Sequence, residues 1–210
     1  MTVKIRAAKQ MKKEFESEIR ISIQDITEFT DILNRLKGKT IQNYKFTDHI
    51  YIPQNPSSDW NPKYKTMRIR QYFSPEQYSR ILFTQNELVR GKLFQFKRSL
   101  YPQGKIELFK GDQKMAEAIL RAWDYVPYFQ IEKTNGNLYE IPQPLKFVVA
   151  VEEIAQFGYS AEIELWGEDI LKIEERFLTI LSVLKIPQTA VNSNPLPYII
   201  AKHLGLALTE

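Results

Sequence analysis

Glu14, Glu16, Glu18 and Arg20 stand at alternate positions of Glu14-Phe15-Glu16-Ser17-Glu18-Ile19-Arg20. Between and beyond them lie Phe15, Ser17, Ile19 and Ile21. A period of two is that of a β-strand, with the charges on one face. Three like charges two residues apart repel one another along such a face. They become useful when something cationic lies opposite, and a divalent ion, which takes hard oxygen ligands, is the obvious candidate. The pattern returns in Ser160-Ala161-Glu162-Ile163-Glu164-Leu165, where Glu162 and Glu164 share one face and Ala161, Ile163 and Leu165 the other.

Basic strands lie between these acidic ones. In Thr66-Met67-Arg68-Ile69-Arg70 the two arginines share a face. In Phe94 to Tyr101, Phe94, Phe96 and Leu100 define the apolar side, so Lys97 points the other way with Gln95, Ser99 and Tyr101. Lys146, Val148, Ala150 and Glu152 oppose Phe147, Val149 and Val151. The expected architecture is α+β: a closed antiparallel β-barrel, or tunnel, with an interior charged in both signs and helices packed outside. This inverts the small barrel filled with side chains. It suits a metal-bound polyanion.

Bulk properties set the bounds. A chain of 210 residues carries one full core or two small domains, and one domain over 1–210 is expected. With 43% hydrophobic and 26% charged residues the composition is globular. The formal charge of +4 permits an anionic ligand without requiring nucleic acid, and none is expected as a specific partner. There are no cysteines, which excludes disulfides, thiolate nucleophiles and cysteine zinc sites. The two histidines, His49 and His203, exclude a multi-histidine metal site within one chain and read as structural or exposed. Met1 to Lys13 holds five Lys/Arg and no apolar run, so it reads as a flexible basic arm rather than a signal peptide. No apolar segment approaches the ~18 residues of a membrane span, and a cytoplasmic protein is expected. A homodimer is left open.

The elements that must position the charges follow from periodicity. Asp25 to Leu36 reads as a helix with a stripe of Ile26, Phe29, Ile32, Leu33 and Leu36, a capping-box-like start and Gly38 after its end. Lys39 to Ile52 is strand-like, and Pro53 to Pro62 a loop in which Trp60 either covers a tunnel mouth or anchors the loop. Ser74-Pro75-Glu76 starts a short helix or makes a turn. Two strands lie between Ile81 and Tyr101. Asp112 to Asp124 is a helix with Met115, Ala116, Ile119, Leu120 and Trp123 inward. Strands cover Tyr128–Lys133, Leu138–Ile141 and Leu145–Glu153, the first two joined by a hairpin-type turn at Asn135-Gly136-Asn137. A long helix from Glu168 to Leu184 turns Ile170, Leu171, Phe177, Leu178 and Leu181 inward, and a short one follows from Pro195 to Leu204.

The order of acidic strand, Arg-x-Arg strand and late Glu-x-Glu strand resembles the CYTH family, the triphosphate tunnel metalloenzymes. Its members include class IV adenylate cyclases, thiamine triphosphatases and inorganic triphosphatases. The Glu-x-Glu-x-Lys signature is matched by Glu16-Ser17-Glu18-Ile19-Arg20, with arginine for lysine. Asp48 to Pro53 is similar to the family's aromatic second strand, and Met67-Arg68-Ile69-Arg70 to its "LRIR" strand. Trp123 to Pro127 stands near its "LGY-x-P". Glu152, Gly158, Glu162 and Glu164 resemble its late acidic segment, and Ser193 to Tyr198 its closing "SY". The chain departs from the family at three places. Thr84 is followed by Gln85 and Asn86 where a lysine is common. Arg-x-Glu-x-Glu becomes Lys97-x-Ser99-x-Tyr101, without the two acids. Lys-x-Arg becomes Lys133-x-Asn135.

The resemblance implies a metal-dependent triphosphatase acting on thiamine triphosphate, inorganic triphosphate or a nucleotide. Glu16, Glu18, Glu162 and Glu164 would hold Mg²⁺ or Mn²⁺. Arg20, Arg68, Arg70, Lys97 and Lys133 would bind phosphates, and Glu16, Glu18 and Lys133 would serve the chemistry. For Lys133 a competing assignment turns Glu132 inward. Tyr101 fills space left by a family glutamate or stacks on an organic group. Two other classes remain: a class IV adenylate cyclase, whose attacking group is a ribose hydroxyl, and a non-catalytic triphosphate- or nucleotide-binding module, for which the missing acids at Ser99 and Tyr101 speak. Each charged strand also has a plain reading as a solvated sheet face.

Overall fold

The computed structural model describes residues 14–57 and 60–206. The basic arm expected over Met1 to Lys13 lies outside them. Ten strands and four helices follow one another: β1 (Phe15–Ile23), α1 (Ile26–Arg35), β2 (Lys39–Pro53), β3 (Lys65–Ser74), β4 (Tyr78–Arg90), β5 (Gln95–Ser99), β6 (Ile106–Gly111), α2 (Gln113–Ala122), β7 (Tyr125–Ile141), β8 (Phe147–Ile154), β9 (Gly158–Gly167), α3 (Ile170–Val183), β10 (Val191–Asn192) and α4 (Leu196–His203). All pairings are antiparallel, in the order β1-β5-β4-β3-β2-β7-β8-β9, and β9 pairs back onto β1. Eight strands thus form a ring, with β6 attached to β4 and β10 to β1. The class is α+β, as expected.

Alternation puts the two sets of residues where the sequence implies. Ile19, Ile21, Phe96, Val149, Val151, Ala161, Ile163 and Leu165 join Phe29, Leu33, Ile173, Phe177, Ile180 and Leu181 in one core under α1 and α3. A second cluster packs Ala116 and Leu120 of α2 on Tyr51, Met67, Ile69 and Ile81. The helix starts have the expected chemistry: Asp25, Asp112 and Asp169 each accept two backbone N–H bonds, satisfying donors that a first turn leaves open.

The fourth helix departs from a plan with every helix outside. Its Leu196, Ile200 and Ala201 pack on Ile50, Phe129, Ile131 and Ile154. Ile50 shares parity with Asp48, Ile131 with Lys133 and Ile154 with Glu152, so these are inward-facing positions. The inner face is therefore charged over one part and apolar where α4 meets it.

Three further expectations are corrected. Asn135-Gly136-Asn137 makes no hairpin: β7 runs straight through it, because β2 pairs with it on one side and β8 on the other. Register shifts beside Lys133 and Tyr44 absorb the irregularity, and the Tyr44 ring lies where a Cβ on Gly136 would stand. Met115 and Trp123 are about half exposed, since the face of α2 that reaches the sheet is narrow; Leu171, at the open start of α3, is also exposed. β5 ends at Ser99, so its parity does not extend to Leu100 and Tyr101; Leu100 is exposed and Tyr101 Oη donates to Gln85 Oε1 at 3.1 Å. Of the two readings of Ser74-Pro75-Glu76 the turn holds, since Pro75 lies in the bend between β3 and β4. Trp60 packs on Tyr125 and Phe83, as a loop anchor does.

Candidate functional site

β1 supplies the first three groups. Glu16, Glu18 and Arg20 are buried and border a cavity of about 780 Å³. The neighbouring registers bring the rest: Glu18 lies opposite Glu164 of β9 and Lys97 of β5, and Arg20 lies opposite Glu162. The acids that crowd come from two strands, and exposed Glu14 is not among them. Carboxylate oxygens of Glu16, Glu18 and Glu164 lie within 4.8 Å of one another. Burial, then Glu164, push the Glu16 carboxyl up to about 7, against the pull of Lys105 and Lys97. Burial also opposes ionisation of Glu18, but Lys97, which donates to Glu18 Oε2, and Arg20 outweigh it and hold that group below its ordinary value.

The two late acids part company. Glu164 joins the cluster, whereas Glu162 faces Arg20 in an ion pair. Arg20 is 3% exposed and its guanidinium is enclosed. Nη1 donates to Glu152 Oε2 and to Ser160 Oγ, both at 3.0 Å, and Nη2 lies 3.8 Å from Glu18 Oε1. Glu152 in turn accepts from Lys133 Nζ and from Tyr44 Oη at 2.7 Å. Its carboxyl is lowered, since Lys133 and Arg20 overcome the burial that would raise it. Lys133 itself comes down to about 8, because burial disfavours its charge and Arg20 and Arg70 add repulsion, with Glu152 opposing. The competing assignment is resolved: Lys133 is buried and Glu132 is exposed.

On β3, Arg70 is held by Asp48 of β2 through Nε–Oδ1 at 2.7 Å and Nη2–Oδ2 at 2.8 Å. Its guanidinium also lies 3.8 Å over the Phe46 ring. Arg68 is held more loosely: Nη1 lies 3.6 Å from Asp48 Oδ2, and its buried Nε has no partner among the described residues. All nine expected site residues, Glu16, Glu18, Arg20, Arg68, Arg70, Lys97, Lys133, Glu162 and Glu164, border the same cavity.

Sequence reasoning did not place Asp48, Tyr44, Glu152 or Lys105 in the site. Two left a signal. Asp48 is a charge at the parity of Phe46 and Ile50, and Glu152 shares parity with Val148 and Ala150 of β8. The hard oxygen cluster of Glu16, Glu18 and Glu164 fits a divalent cation. Among the described residues, no helix is long and apolar enough to cross a membrane.

No protein-family model and no curated protein matches this chain. Solved structures do. The PH1819 protein of Pyrococcus horikoshii OT3 superposes with a TM-score of 0.68 at 12% identity, over 90% of this chain and 99% of that one. A candidate adenylate cyclase from Vibrio parahaemolyticus gives 0.65 at 13% identity, over 89% and 98%. HpAC1 from Hippeastrum, a candidate adenylyl cyclase named for a dominant triphosphatase activity, gives 0.55 at 13%, over 93% and 97%. At such identities the likeness is one of fold.

Proposed function

We propose that the eight-stranded ring is a closed tunnel in which this chain hydrolyses a triphosphate with the help of Mg²⁺ or Mn²⁺. One observation carries the reading: Glu16, Glu18 and Glu164 converge within 4.8 Å on the same cavity as Arg68, Arg70, Lys97 and Lys133. A surface sheet face has no reason to bury that set. The names of HpAC1 and the Vibrio protein agree with triphosphate chemistry.

Glu16, Glu18 and Glu164 would hold the cation, with Glu162 kept near by Arg20. The bound ion would supply a hard Lewis acid for phosphoryl oxygens. Everything else belongs to the chain. Arg68, with its loose partner, binds a phosphoryl group with little disruption. Arg70 is fixed by Asp48 in a defined orientation over Phe46, which sets the direction of its charge toward a phosphoryl group. Lys133, lowered to about 8, can release a proton from Nζ near neutral pH while Glu152, itself fixed by the Tyr44 hydroxyl, holds it in place. Arg20 is enclosed by Glu152, Glu162 and Ser160, so its role is to position the acids rather than to grip phosphate.

The deciding assay offers thiamine triphosphate, inorganic triphosphate and ATP, each with Mg²⁺ or Mn²⁺, and measures both phosphate and cyclic AMP. Phosphate release that stops in EDTA is expected. Cyclic AMP as the main product from ATP would replace hydrolase by cyclase. Binding of all three without turnover would leave a binding module, as the lost acids at Ser99 and Tyr101 allow.

A further inference from the structure

The segment between β5 and β6, residues 100–105, folds back over the acid cluster, and the cause lies in Ser99. Its buried hydroxyl donates to the Gly104 carbonyl at 2.8 Å and accepts from Tyr101 N–H at 3.1 Å. Gly104 N–H closes the turn on the Tyr101 carbonyl at 2.9 Å. Gly104 has φ +74, which favours glycine, and it has a second reason to be glycine: a Cβ there would collide with the Glu16 carboxylate. The backbone therefore passes directly over Glu16 and delivers the next side chain, Lys105, to the cavity wall.

Lys105 differs from the other cavity cations in what holds it. Arg20, Arg70, Lys97 and Lys133 are each bonded to a carboxylate, and Arg176 donates to the Trp166 carbonyl. Lys105 makes no ion pair or hydrogen bond among the described residues, though its field reaches both Glu16 and Glu18. A half-buried ammonium beside an acid cluster, with no partner of its own, is poised for an anion that arrives with a cation.

We infer that Lys105 is a phosphate-binding residue of this site, held by the Ser99–Gly104 turn against the phosphoryl group next to the Glu16, Glu18 and Glu164 cluster. The inference rests on the triphosphate reading above. It also gives the serine at position 99 a job: where an acid would add negative charge, Ser99 pins a turn that adds a positive one.

The role has a signature that a merely structural lysine lacks. Next to the acids, the ammonium opposes a lone divalent cation and favours a polyphosphate. Lys105→Met keeps the length and removes the charge. Calorimetric titration of the full chain with Mn²⁺ alone, and with inorganic triphosphate in the presence of Mn²⁺, reads both. The variant should bind Mn²⁺ alone as tightly as wild type or more tightly. It should bind Mn²⁺–triphosphate roughly ten- to hundredfold more weakly, the size of a lost hydrogen bond to a charged group. Lys105→Arg should recover most of that loss. Ser99→Ala, which frees the turn, should show the same opposed pair of effects in smaller measure. Triphosphate binding unchanged in Lys105→Met, with wild type binding well, overturns the inference and spares the functional reading. Both ligands weakened together, with a lowered melting temperature, overturns it as a structural effect. A wild type that binds no triphosphate removes the functional reading and this inference with it.

Discussion

Asp48 on β2 and Arg70 on β3 form a two-pronged ion pair at register-matched positions, 2.7 and 2.8 Å apart at its two contacts. Asp48 is 1% exposed. Neither charge is tolerable there alone, and the neighbouring Arg68 shares the same carboxylate at 3.6 Å. Asp48 thus sets how tightly each arginine of the Arg-x-Arg strand is held.

Asp48→Asn should cost about 3–5 kcal/mol in chemical denaturation, the range for breaking a buried pair by removing one partner. The sign of the pH effect is fixed. Arg70 and Arg68 outweigh burial and hold the Asp48 carboxyl well below its ordinary value of 3.8. Its contribution is then complete above pH 3.8 and is lost as pH falls through the lower folded value. Wild type should lose stability in that acid window more steeply than Asp48→Asn. Parallel acid-denaturation curves would show that the pair contributes nothing net.

The two arginines should respond differently. Arg68→Ala removes a side chain with one loose contact, so it should leave the melting temperature nearly unchanged and weaken Mn²⁺–triphosphate binding roughly ten- to hundredfold. Arg70→Ala strands Asp48 and uncovers Phe46, so it should lower both stability and binding. Alternate residues stand roughly 7 Å apart along a strand, a spacing for neighbouring phosphoryl groups, so orthophosphate should notice either loss less than triphosphate does. Equal losses for both ligands would reduce the arginines to scaffold.

The acids and bases were legible because a strand's period of two sorts side chains before any packing is known. Glu16, Glu18 and Glu164 share the inward face for that reason, and the β1–β9 register then gathers them into one cluster. What parity does not report is pairing. Glu162 and Glu164 are equivalent in sequence, yet one meets Arg20 and the other the acid cluster, because Arg20 lies opposite Glu162 in the β1–β9 register. The inward turn of α4 was hidden as well: Ile50, Ile131 and Ile154 are apolar residues on charged parity, and only the assembled ring brings them beneath Leu196 and Ile200. β6 left almost no signal, since Glu107 and Lys110 interrupt its six residues.

Glu174 offers a test of structure away from the cavity. This α3 carboxylate is 3% exposed and accepts from the backbone N–H groups of Lys92, Leu93 and Phe94 at 2.7, 2.8 and 3.0 Å. It thereby ties the turn between β4 and β5 to the helix, and Gly91 has no side chain because the carboxylate occupies that space. Glu174→Ala leaves three donors open and should cost about 2–4 kcal/mol, at 1–3 kcal/mol for each donor left without compensation and with water recovering part. Triphosphate affinity of the folded fraction should stay as in wild type. A large loss of affinity at full folding would mean that this turn communicates with Lys97 on the adjoining strand.

Glu16 joins stability, pH and metal in one measurement. Its carboxyl is raised from 4.5 to about 7, chiefly by burial and by Glu164. An acid raised on folding favours the native state below its unfolded value, so its contribution is complete below about pH 4.5 and is lost as pH climbs through about 7. Metal-free wild type should therefore lose stability across that window, and Glu16→Gln, which keeps the shape without the charge, should be flatter and at least as stable at pH 7.5. A divalent cation competes with the proton for these oxygens and stabilises the native state by mass action, by about 2.7 kcal/mol at a hundred times its dissociation constant. The Mn²⁺-induced rise in melting temperature should thus be small at pH 5, large at pH 7.5, and mostly absent from Glu16→Gln at either pH. Melts of both proteins with and without Mn²⁺ at the two pH values read all of this. An equal Mn²⁺ response in wild type and Glu16→Gln at pH 7.5 would place the cation elsewhere and end the case for this acid cluster as the metal site.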